Sequence, residues 1–110
     1  MYKIGGNATA KIQTKDDGTK NGIGERIHTW VDAVTLTGFL DYMTGDSKYA
    51  TFNAKLQETT HIFICDYQQL TVTSETSRLI HEGKTYEILL IDDPMGLHQQ
   101  LEIYLKYVGA

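Results

Sequence analysis

Proline and cysteine are almost missing from this chain. Its 110 residues hold one of each, Pro94 and Cys65. A lone cysteine can close no internal disulfide and build no thiolate zinc site, and it fits a reducing compartment. Arginine is nearly as scarce, with only Arg26 and Arg78, and 10 Lys+Arg against 14 Asp+Glu leave a net charge of −4. Tight, sequence-independent binding of duplex DNA needs several cations facing phosphates, so this balance argues against it. A surface that lets DNA pass without sticking remains compatible. No apolar run approaches the roughly 18 residues of a membrane span. The start, Met1-Tyr2-Lys3-Ile4-Gly5-Gly6, lacks the apolar stretch of a signal peptide, so a soluble intracellular protein is expected. What is present is ordinary for a globular chain, 41% hydrophobic and 22% charged. A single domain over residues 1–110 is expected, large enough for one core.

The ten glycines punctuate the chain as turns between short strands would. Ala10–Thr14 reads as a short strand. Lys15–Gly24 carries an Asp-Gly and an Asn-Gly pair, which suits a hairpin connection or a longer loop. Arg26–Tyr42 reads as a long strand region with Trp30, Val34, Leu36 and Leu40 on even positions. The alternation falters at Asp32-Ala33, which predicts a bulge or bend, and Gly38 would permit a close backbone approach. From Met43 to Glu58 the pattern changes. Thr44-Gly45-Asp46-Ser47 is turn chemistry, and Tyr49, Phe52 and Leu56 fall at helical spacing, so a short helix and an excursion loop both fit.

Thr59–Cys65 is β-branched and aromatic, as in a strand buried on at least one face. Arg78–His81, Glu82-Gly83 and Lys84–Ile91 together read as a β-hairpin. Leu101, Ile103 and Leu105 alternate as one face of a last strand, although Leu97, Leu101, Leu105 and Val108 also fit a helical stripe. The expected fold class is mainly β, a small antiparallel β-barrel or sandwich with a long central loop or short helix.

Catalytic chemistry finds little support. Asp92, Asp93 and His98 could in principle bind a divalent ion or act as an acid–base pair, but Asp-Asp-Pro is also plain turn chemistry. His28, His61 and His81 are spread over strand segments rather than paired at ligand spacing. Cys65 has an apolar strand around it and reads as a buried, inert thiol. No catalytic residue, metal site or cofactor is expected. The seven tyrosines suit two roles, subunit contacts or the rim of a small barrel, with base stacking on single-stranded nucleic acid a third.

Several runs together resemble the tailed-phage head closure (head–tail joining, or stopper) proteins. In the front half these are Asn21-Gly22-Ile23-Gly24, Thr29-Trp30-Val31-Asp32, Gly38-Phe39-Leu40-Asp41-Tyr42 and Thr44-Gly45-Asp46. The back half adds Thr59–Tyr67, Gly83–Ile88, Ile91–Met95 and Leu105–Gly109. The resemblance implies a structural protein of the virion neck, made in the bacterial host cytoplasm. It implies a small β-barrel that assembles as a closed homo-oligomeric ring of about twelve copies and is often a monomer when free. Such a ring lies below the portal and adaptor rings after packaging, retains the DNA by blocking the channel, and docks the tail. By position, the segment projecting into the channel would be Thr44 to Glu58, with Thr44, Gly45, Asp46, Ser47, Lys48, Tyr49, Phe52, Asn53 and Lys55 as candidate channel-loop residues. The resemblance gives portal, adaptor and tail proteins as partners and no membrane. Two other readings stand beside it: a tail-completion or minor tail component, and a stand-alone binding module or small enzyme.

Overall fold

In a computed structural model the chain is described at residues 3–15, 29–42 and 58–109. Six strands run along these parts: β1 (Ala8–Lys15), β2 (Trp30–Tyr42), β3 (His61–Asp66), β4 (Ser77–His81), β5 (Lys84–Asp92) and β6 (Gln100–Gly109). They close into a barrel in the order β1-β2-β3-β6-β5-β4, each neighbour antiparallel to the next. Closure removes the free edges that would otherwise template aggregation. One-turn 3-10 segments at Ser74–Thr76 and Pro94–Gly96 interrupt the loops, and no α-helix occurs among the described residues.

Alternation with a period of two fills the interior. Ala8, Ala10 and Ile12 point inward from β1, Phe63 and Cys65 from β3, and Leu101, Ile103 and Leu105 from β6. Leu36, Leu79, Tyr86 and Ile88 complete the same core from β2, β4 and β5. Full burial of each large side chain contributes roughly 1.5–3 kcal/mol. Leu101, Ile103 and Leu105 thus settle the ambiguity of the last segment. It is a strand, and Leu97 and Val108, the ends of the alternative helical stripe, are exposed. The stretch after β3 lies against the core through Tyr67, Leu70 and Val72.

The bulge expected at Asp32-Ala33 is present. Ile12 pairs with Val34 and Gln13 with Asp32, leaving Ala33 as the extra residue of β2. It has a consequence that even spacing concealed. An inserted residue flips the alternation, so Trp30 does not share the inner face of Val34, Leu36 and Leu40. It turns to the outer surface, where its ring meets Arg78. The close approach at Gly38 is also present. A Cβ there would lie 2.2 Å from the Ile64 carbonyl oxygen, and one on Gly6 would lie 2.3 Å from the Gly38 Cα. The N-terminal stretch crosses β2 at this point and is fastened to β3. Ile4 N and Gly5 N donate to the two Asp66 carboxylate oxygens at 2.6 and 3.1 Å.

The strand expected from Arg26 begins, among the described residues, at Trp30. Lys15 closes β1, and the rest of the Lys15–Gly24 turn region lies outside the described residues, as does His28. The helix-or-loop question over Met43–Glu58 also falls outside them, Glu58 excepted.

Candidate functional site

The nine candidate channel-loop residues, Thr44 to Lys55, lie outside the described residues. The structure does fix the flanks of that stretch. Tyr42, the last residue of β2, pairs with His61, the first of β3. The polypeptide returns along β6: Thr60 N donates to the Leu105 carbonyl at 2.8 Å, and Tyr107 N donates to Thr60 Oγ1 at 2.7 Å. Glu58 accepts from Lys106 Nζ at 2.9 Å. Both flanks therefore stand at the same mouth of the barrel.

That mouth is aromatic. Tyr42, His61, Tyr86 and Tyr107 are contributed by β2, β3, β5 and β6, and their rings chain edge to face. Centroids are 5.2 Å apart for Tyr42–His61, 5.1 Å for His61–Tyr86 and 5.5 Å for Tyr86–Tyr107. Tyr86 is buried, whereas Tyr42 and Tyr107 face solvent. Burial, with the Lys84 charge second, holds the His61 imidazole below its ordinary value. Burial likewise lifts the Tyr86 phenol. Of the roles open to the tyrosines, packing at the rim is taken by Tyr86, and Tyr42 and Tyr107 are exposed at the same mouth.

The carboxylate–imidazole candidate does come together in part. Asp93 accepts from the His98 backbone N at 3.0 Å, and its other oxygen is 2.5 Å from His98 Nδ1. The Tyr67 ring lies 4.4 Å from the imidazole. Asp92 stays behind in β5, opposite Glu102. Met95 and His98 both take positive φ in this connection, so Asp93 acts as the clip of a strained turn. No group of three metal-ligating side chains occurs among the described residues. His61 and His81 belong to different strands, and His81 Nδ1 is 2.9 Å from the Thr9 carbonyl. Cys65 is buried, and burial, with the Asp66 charge second, pushes its thiol up to about 11. A thiol so protonated is a poor nucleophile at neutral pH.

Trp30 lies on the outer surface, a facing that its even position alone did not give. The Arg78 guanidinium lies 4.3 Å over its ring and Lys15 Nζ 5.6 Å away. Arg78 Nε donates to Gln13 Oε1 at 2.9 Å, and Gln13 Nε2 donates to Asp32 Oδ1 at 2.9 Å. The Gln13 bond first, and the Lys11 ammonium at 3.4 Å second, hold the Asp32 carboxyl below the usual range. Beside Trp30 runs an open groove of about 350 Å³, bounded by Arg78, Thr85, Glu87 and Val108. The only signal in the sequence that could have exposed Trp30 was the bulge itself, counted as a reversal of face.

No described helix is long and apolar enough to cross a membrane. The fold has a solved counterpart: the solution structure of protein SF1141 from Shigella flexneri 2a matches with a TM-score of 0.72 at 22% identity. The match covers 97% of this chain and 96% of that one. Among curated proteins nothing matches. The profile of the family described as phage head completion protein matches residues 6–106.

Proposed function

We propose that this chain, which belongs to the phage head completion protein family and has that family's structural head–tail joining role, works as one subunit of a closed ring. The ring lies at the virion neck, under the portal and adaptor rings. It closes the channel once DNA is packaged and offers a docking surface to the tail. The whole chain, residues 1–110, acts as one head closure unit, with no catalytic step and no cofactor assigned to it.

One observation carries the channel-closing part: residues 43–57 are inserted between two strands that are already paired to each other, at Tyr42 and His61. An insertion at such a place adds to the barrel without interrupting its ladder, so it is free to serve something outside the core. Its side chains include Asp46, Ser47, Lys48, Thr51, Asn53 and Lys55, with Tyr49 and Phe52 among them. In this reading the polar residues face the channel, and the two aromatics hold neighbouring copies together. Net charge of −4 suits a plug that blocks DNA rather than gripping it.

The test replaces residues 44–57 with a short Gly-Ser linker. The expected outcome is a folded protein that still joins heads, with particles that leak DNA. Full DNA retention by such particles would contradict the channel-loop assignment.

A further inference from the structure

The approach to β1 is held by different means from the strands. Residues 3–7 belong to no strand, and one carboxylate takes up two of their N–H groups. Asp66, the last residue of β3, accepts from Ile4 N at 2.6 Å through one oxygen and from Gly5 N at 3.1 Å through the other. Two successive N–H groups turned to the same side make a cradle for an anion. Gly5 has the left-handed φ of 72°, which glycine adopts without steric cost.

One residue further on, the stretch rests on bare backbone. A Cβ on Gly6 would lie 2.3 Å from both the Cα and the carbonyl oxygen of Gly38. The seat therefore admits only glycine at the point of contact, and Gly38 itself is buried. The strand ladders start at Ala8 and close the barrel without residues 3–7. A segment attached in this way can open on its own while the ladders stay paired.

The attachment has full strength only while Asp66 is ionised. The bond from Ile4 first and that from Gly5 second hold its pKa below the ordinary 3.8, and the Lys3 charge adds to them. The other groups beside it are neutral: Cys65 precedes it in β3 as a buried thiol, and Gln100 pairs with it from β6. A carboxyl whose pKa is depressed by its bonds keeps them fully above 3.8 and loses them as pH falls through the depressed value.

We infer that residues 3–7 form a releasable strap, latched by the Asp66 carboxylate over Gly38, which lifts as a unit and uncovers Gly38 while the six strands remain closed. Asp66 is the latch and Gly6 the seat. The device belongs to the single chain and does not depend on the ring reading.

The test follows the full chain by NMR in three forms: the parent, Asp66→Ala and Gly6→Ala. The first variant removes the latch; the second leaves the latch and drives the strap off its seat. In the parent, backbone order parameters over residues 3–7 should approach the roughly 0.85 of rigid backbone. In each variant they should fall below about 0.6, with the Phe63 and Ile103 cross-peaks kept at their parent positions. On acidification of the parent, the Ile4 and Gly5 signals should change before the strand signals are lost. Unchanged order over residues 3–7 in either folded variant would overturn the inference. So would loss of the strand cross-peaks in both variants, or strap and strand signals lost together in acid, since strap and barrel would then be one unit. Should Asp66→Ala alone unfold, Gly6→Ala and the acid series decide.

Discussion

The imidazole of His61 ties the chemistry of one residue to the stability of the barrel mouth. Its folded pKa lies below the ordinary 6.5, through burial first and the Lys84 charge second. As pH falls below 6.5 the unfolded chain therefore binds the proton before the folded one does. Stability is fully present above that value and declines as pH drops toward the folded pKa. The urea midpoint should fall between pH 7.5 and 5.5, and His61→Gln should remove part of that fall. An identical fall in both proteins would contradict the account. His61 as a strand residue was legible in its β-branched surroundings. Its aromatic neighbours were not, because Tyr42, Tyr86 and Tyr107 are brought to it by three other strands. Trp30 marks the opposite limit: the bulge was legible from the pattern break at Asp32-Ala33, but its effect on facing needed the register with β1. Asp93 and His98 were read as turn residues; that they clip the same turn depended on backbone angles that spacing does not give.

Elements were more legible than contacts. The β4–β5 hairpin follows directly from two β-rich runs separated by Glu82-Gly83, and both turn residues take positive φ, 51° and 75°. A two-residue connection of this handedness favours Asn-Gly, and glutamate at the first position is strained by its Cβ. Glu82→Asn should therefore stabilise the fold by about 0.5–1 kcal/mol, a fraction of the roughly 1–2 kcal/mol that left-handed backbone costs an ordinary residue. The Glu82–His81 contact it removes, at 3.7 Å with Glu82 exposed, is worth little. An unchanged or lower urea midpoint would contradict this. The last strand was ambiguous because leucines spaced by four satisfy both a helix and, at every second residue, a strand. Packing decided it, since Leu101, Ile103 and Leu105 all reach the core only from a strand. Closure of the sheet could not be read at all. It depends on the pairing of β1 with β4, strands far apart in sequence with no local mark of partnership.

At the scale of the molecule, the closed barrel with its aromatic mouth is the body of a head completion protein, and it is the family that gives it a structural role. Family membership supplies the place, the junction of head and tail. Sequence order and spacing were enough to suggest that place, because the resembling runs extend from the front of the chain to its end. The most direct test of the central claim is to add the full-length protein to purified tailless, DNA-filled heads and weigh the product by sedimentation and light scattering. The account predicts a species that binds at the neck in ring stoichiometry and prevents loss of DNA. Binding to tail tubes alone would contradict it and make the protein a tail-completion component, and binding to neither would remove the ring altogether.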